Sequence, residues 1–162
     1  MLCYGPVEAL MPIRRNLPHR LVTLGSGSSA MDVWFYYDPT LAEWLSVHTM
    51  NYVFARNAVG VTGFIRTTNG VLTSNTHGPL VFYKTKIVGV AASATNNPSG
   101  AKIQIHSNGA QVGSNIAWSG GTQTKSVDRD IDEVKTIGVA LGTPAITSPD
   151  YPVIDLTTRW RL

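Results

Sequence analysis

The chain has 162 residues, enough for one domain with a real hydrophobic core. Charged residues make up 14% of it, against about 25% in an average soluble chain, and Gly, Ser, Thr and Asn supply a third. Ordinary apolar content and a net charge of +3 exclude an intrinsically disordered chain, and the low charge excludes a coiled coil. We expect much of a surface so poor in charge to be covered by other chains.

Charge and hydropathy also limit the classes of partner. The basic residues are scattered, with Arg14–Arg15 and Arg159/Arg161 as the densest pairs, so we expect no nucleic-acid partner. The apolar runs fall far short of the roughly 20 residues of a membrane helix, so we expect no membrane partner. The single cysteine, Cys3, permits no intrachain disulfide and gives no metal-ligand spacing. We expect no cofactor. We also expect no secretory signal, which is typical of a protein made in a reducing compartment.

Residues 1–31 are predicted to form an extended N-terminal arm and linker. Prolines at positions 6, 12 and 18 forbid a long helix there, and Gly25–Ala30 is typical of a flexible connector. The arm is too apolar to float free in water, so we expect it to lie on its own domain or on a neighbour. The arm residues predicted to make this contact are Leu2, Leu10, Ile13, Leu17 and Leu21.

Residues 32–162 are predicted to form a β domain, since no long amphipathic helical pattern occurs there. Asp32–Tyr37 and Trp44–Val47 are rich in aromatic and β-branched residues and flank turn residues, so they are expected to pair as a hairpin. Aromatics on both faces of the first of these strands fit a core, a subunit interface or a sugar platform. Trp34, Tyr36 and Trp44 are therefore candidate interface residues.

Further along the chain, Ile87–Ala92 is a continuous apolar run, typical of a strand covered on both faces. Ala101–Ser107 alternates, with Ile103 and Ile105 on one face. Asn108-Gly109 is a strong hairpin signal, after which 111–118 would return.

The C-terminal part completes the all-β pattern. A strand over Thr122–Val127 is followed by an acidic loop over 128–133 and a strand over Val134–Leu141. The last strand alternates clearly, with Ile154, Leu156, Thr158, Trp160 and Leu162 on one face. About ten short strands between Gly-rich turns predict an all-β fold, an antiparallel β-sandwich or barrel.

Motifs that carry chemistry are weak. Alternating Asp128, Asp130 and Asp132 could converge on Ca²⁺, but Glu133 and Val139 stand where a calcium loop would need Gly and a bidentate Glu. A solvated acidic loop is the competing interpretation. No Gly-x-Ser-x-Gly signature occurs, and the separation of carboxylates in space cannot be read from sequence. We therefore predict no catalytic residues and a protein that is not an enzyme.

One segment resembles a known family. Val33-Trp-Phe-Tyr-Tyr-Asp38, a short turn and Glu43-Trp-Leu-Ser-Val47 resemble a hairpin of tailed-phage virion structural proteins. The stretches 54–78, 86–90 and 102–109 resemble the segments that follow, so the likeness covers roughly residues 32–141. It implies a jelly-roll-like sandwich that trimerises on the virion as capsid decoration, head fibre or tail fibre. The first 24 residues lie outside the resemblance.

The expected function is that of a non-enzymatic phage virion structural protein, a trimeric capsid decoration (cement) or head-fibre protein anchored by its N-terminal arm. Its expected partners are copies of itself in a homotrimer and a major capsid protein or another virion protein. A receptor-binding tail-fibre tip or a carbohydrate-binding module, with a host-surface glycan as partner, is the alternative. A small polysaccharide depolymerase is the enzymatic rival.

Overall fold

The computed structural model of the chain describes residues 17–143 and 146–162. The described part is all-β, which confirms the predicted fold class, and its remaining regular element is a short 3₁₀ turn at Gly27–Ser29. It comprises two compact units, which divide between Val47 and His48. The strands of the described residues are β1 His19–Leu24, β2 Met31–Asp38, β3 Glu43–Ser46, β4 Met50–Ala55, β5 Gly63–Phe64, β6 Arg66–Thr67, β7 Leu80–Val81, β8 Thr85–Ser93, β9 Ala101–Ser107, β10 Ala110–Gln111, β11 Ile116–Trp118, β12 Thr122–Ile131, β13 Lys135–Thr136, β14 Gly138–Gly142 and β15 Val153–Trp160.

The first unit is a three-stranded antiparallel sheet in the order β1-β2-β3. The β2–β3 pair confirms the predicted aromatic hairpin. Its partner β1 comes from the segment predicted as arm, and Gly25–Ala30 closes the β1–β2 hairpin instead of acting as a flexible connector. Gly25 and Gly27 have φ of 81° and 60°, a backbone that glycine adopts without strain. The first compact unit extends to Val47 and so includes both hairpins of this sheet.

The second unit contains two larger antiparallel sheets. One has the order β12-β8-β15-β4-β6, and the other has the order β10-β9-β14-β5 with β11 also paired to β9. The pairs are nested in sequence: β4 with β15, β5 with β14, β8 with β12 and β9 with β11. This nesting in two facing sheets is the arrangement of a jelly roll. A small ribbon of β7 and β13 accompanies them.

The core lies between these sheets because alternate residues of each strand are apolar. In β15 the buried residues Ile154 and Leu156 belong to the face that the alternation predicts. Trp118 is also buried, and its indole N–H donates to the carbonyl of Gly120 at 3.0 Å. The other buried members of the core are Phe54, Val61, Ile65, Val81, Ile87, Val90, Ala92, Ala101, Ile103, Ile105, Ile116, Ile131, Ile137, Val139 and Leu141.

The prediction of an acidic loop over 128–133 is wrong for its first four residues, which belong to β12. A bulge between Ser126 and Arg129 shifts the register, so that Asp130 pairs with Lys86 of β8. Ile131 then lies in the core, which fixes the strand here. Clustered carboxylates are compatible with a strand because cations of the same sheet lie beside them.

Candidate interaction surfaces

The N-terminal sheet carries an exposed apolar pair, Leu21 and Trp34. These residues are register partners on adjacent strands, so their side chains lie side by side on one face. Leu21 is 50% exposed and Trp34 is 41% exposed. Further along the same face Tyr36 and Leu45 are buried. One apolar face of the sheet therefore includes both buried and exposed residues. We call its exposed residues, Leu21 and Trp34, the N-terminal patch.

Trp44 lies on the opposite face of this sheet and has partners of its own. Its ring meets the ring of Tyr37 edge to face at a centroid distance of 5.7 Å. The guanidinium carbon of Arg20 lies 4.8 Å from its ring centroid, a cation–π contact. Trp44 is half-buried, and its contacts with Tyr37 and Arg20 hold its ring in place within its own chain.

The predicted interface residues thus separate into several groups. Leu21 and Trp34 are exposed, Tyr36 is buried, and Trp44 and Leu17 are half-buried. The remaining three predicted contacts, Leu2, Leu10 and Ile13, lie outside the described residues.

The three aspartates of the candidate calcium site lie beside two cations of the chain. The Lys86 ammonium donates to Asp128 Oδ1 at 2.5 Å and lies 3.0 Å from Asp130 Oδ1. Arg161 lies 3.4 Å from Asp130 Oδ1 and 3.4 Å from Asp132 Oδ1. We call these five residues the charge ladder.

The charge ladder has the chemistry of an ion-pair network. Its carboxylate oxygens are directed to Lys86 and Arg161, whereas Ca²⁺ takes six to eight oxygen ligands. Across 17–143 and 146–162, no three His, Cys, Asp or Glu side chains form a group that could hold a metal ion. The Lys86 side chain is only 3% exposed, whereas those of Asp128 and Asp130 are 57% and 47% exposed.

A Ser–His contact occurs between Ser74 and His77, with 3.1 Å from Oγ to Nδ1. The same Oγ accepts the backbone N–H groups of Thr76 and His77, at 3.1 and 3.0 Å. This pattern is a side-chain-capped turn, in which the hydroxyl serves the backbone. The geometry of this turn accounts for the contact between Ser74 and His77, so the contact does not indicate a catalytic nucleophile.

His106 has an imidazole ring that is partly removed from water. Within the described residues neither ring nitrogen has a hydrogen-bond partner, although both are buried. Its ring meets Phe64 edge to face at 5.0 Å between centroids. Burial lowers the pKa of His106 below its ordinary value of 6.5 because desolvation disfavours the charged imidazolium.

Sequence reasoning missed a second exposed apolar surface, formed by Leu80, Phe82 and Val134. Phe82 is 69% exposed and Val134 is 66% exposed. The signal was the alternation around Val81, a core residue whose neighbours Leu80 and Phe82 must point the other way. We call these three residues the ribbon patch.

A comparison with family models, curated proteins and solved structures gives no match to this chain. In the part of the chain that the structure describes, no helix has the length and apolar character required to cross a bilayer.

Proposed function

We propose that this chain is a non-enzymatic virion structural protein of a tailed phage, a homotrimeric capsid decoration (cement) or head-fibre protein anchored through its N-terminal part. The observation that carries the anchoring step is the N-terminal patch. Leu21 and Trp34 are neighbours in register, are exposed, and belong to the first compact unit. A large exposed aromatic beside a leucine is the kind of anchor found at the centres of protein interfaces.

Two further features support the proposal. The segment in which the sequence resemblance begins is a hairpin of β2 and β3. The nested strand pairing of the second unit is that of a jelly roll, a fold used in viral capsid proteins.

The physical mechanism is the burial of apolar surface against a shell protein. Each square ångström removed from water contributes about 25 cal/mol before the costs of ordering are subtracted. Three copies joined in a trimer would add avidity, since the second and third contacts form at high effective concentration. Modest contacts per chain then suffice for stable attachment.

Incorporation into virions tests this proposal. Tagged variants are expressed during infection by the phage that encodes the chain, and purified particles are analysed by quantitative mass spectrometry. Leu21→Ser combined with Trp34→Ser should lower the incorporated amount by about tenfold or more. Met31→Ser is the matched control, since Met31 is exposed on the opposite face of the same sheet.

Absence of the chain from purified particles would contradict the virion role. Normal incorporation of the double variant, and also of a chain lacking residues 1–16, would contradict anchoring through the N-terminal part. Circular dichroism of each variant shows whether its sheets are intact.

A further inference from the structure

The ribbon patch lies on a small two-stranded element. In the ribbon Thr136 pairs with Leu80 and Lys135 pairs with Val81, and Phe82 and Val134 are the residues that directly adjoin this pairing. Val81 is buried in the core, which directs Leu80 and Phe82 to the outer side. Phe82 and Val134 are both about two-thirds exposed. The chain thus displays apolar side chains here that the sandwich does not cover.

Val134 has a backbone conformation that its side chain disfavours. Its φ is +56°, a left-handed value that is a genuine outlier for a β-branched residue. Glycine or asparagine would take up this turn with less strain. Because Val134 is 66% exposed, packing within the chain does not offset the strain. A strained and exposed apolar residue is therefore best explained by a contact outside the chain.

The charges around the patch fit a second copy of this chain. Two carboxylates, Asp132 and Glu133, and two lysines, Lys84 and Lys135, lie within two residues of Phe82 or Val134. The Asp132 side chain stays 69% exposed although it lies near Arg161. Around a threefold axis, a face with equal numbers of both signs can place a carboxylate of one copy opposite a lysine of the next. A partner of strongly acidic or basic character would find no complementary face here.

We propose that the ribbon patch is the contact through which copies of this chain associate with one another. Phe82 and Val134 form its apolar centre, and the four charges form its rim. This inference rests on the proposed function, since it assigns the surface that would join the subunits of the homotrimer.

The test is self-association of the full chain, measured by analytical ultracentrifugation over a concentration series. Phe82→Ser should raise the dissociation constant at least tenfold, because a large exposed aromatic is a typical interface hot spot. Val134→Gly should weaken association and also raise the midpoint of thermal unfolding, since glycine relieves the strained φ. Val59→Ser is the matched control, a substitution of a 65% exposed valine in the loop between β4 and β5.

Three results would overturn the inference. If the chain associates and Phe82→Ser does not weaken association, the contact lies elsewhere and the proposed homotrimer stands. If Val59→Ser weakens association as much as Phe82→Ser, the effect is general apolar adhesion. If the chain is monomeric throughout the series, the patch joins no copies, whereas the virion role is judged separately by incorporation into particles.

Discussion

The charge ladder gives an asymmetric prediction, because the Lys86 ammonium is buried while Asp128 and Asp130 are about half in solvent. Replacing both aspartates by asparagine leaves a buried cation opposite two neutral amides. Replacing Lys86 by methionine leaves two carboxylates that water can solvate, and the unbranched methionine fills much of the same space. The double aspartate variant should therefore be the less stable protein.

The magnitudes follow from the burial of each group. Removing the partners of a buried charge costs about 3–5 kcal/mol, and asparagine oxygens still accept from the ammonium, so we expect about 3 kcal/mol. Replacing the charge itself by an apolar group of similar volume should cost about 1 kcal/mol or less. With a urea slope of about 2 kcal/mol per molar, the midpoints fall by about 1.5 M and by no more than about 0.5 M.

Urea unfolding at neutral pH, followed by tryptophan fluorescence, measures both values. Asp132→Asn is the control, since this exposed carboxylate should contribute less than about 1 kcal/mol. Equal destabilisation by Lys86→Met and by the double aspartate variant would refute the reasoning, because the cost would then arise from packing and not from the loss of two carboxylates beside a buried charge.

Three further predictions concern single positions. Because folding lowers the pKa of His106, the unfolded chain takes up the imidazole proton at a higher pH than the folded chain, and stability falls as pH drops through about 6.5. His106→Gln should flatten that part of the pH–stability curve. Parallel curves for the variant and the parent chain would contradict this prediction. Burial raises the pKa of Tyr52 above 10.0, so its hydroxyl ionises at a lower pH in the unfolded chain and stability falls as pH rises past that value. Tyr52→Phe should remove this loss in urea titrations at alkaline pH. In Gly78→Ala the new Cβ would overlap the backbone carbonyl of Ile137, and unfolding titrations should show a loss of about 3 kcal/mol or more in the free energy of unfolding. Gly70 has a φ of 81° and open space around it, so Gly70→Ala should lose only about 1 kcal/mol. Equal losses in the two variants would contradict the steric argument.

Local patterns in the sequence predicted the parts of the fold that local forces determine. The Asn108-Gly109 turn forms as expected, with left-handed φ values of 45° and 99°. The alternation of β15 identified its buried face because a one-residue slip would expose the whole apolar set. Strand partners at long range were not predictable in the same way. The place of β1 beside β2, and of 128–131 beside β8, depends on which distant residues lie opposite.

The candidate surfaces were predictable in residue type but not in exposure. Because β2 carries aromatics on both faces, its sequence could not show that Tyr36 is buried and Trp34 exposed. Phe82 and Val134 come near one another only because β13 pairs with β7, a pairing that links residues far apart in sequence. The strain at Val134 is likewise a property of the backbone that composition does not reveal.

The position of β15 also has a consequence for how the protein is made. This strand lies in the middle of its sheet and pairs with both β8 and β4, and a side-chain contact between β4 and β15 joins residues 104 positions apart. Loops of that length make folding slow, because their closure costs entropy before the contact is gained. The sandwich therefore cannot close during translation until residues 153–160 have left the ribosome. Until then β4 and β8 expose unpaired edges, so the nascent chain is most prone to aggregation just before synthesis of this strand is complete.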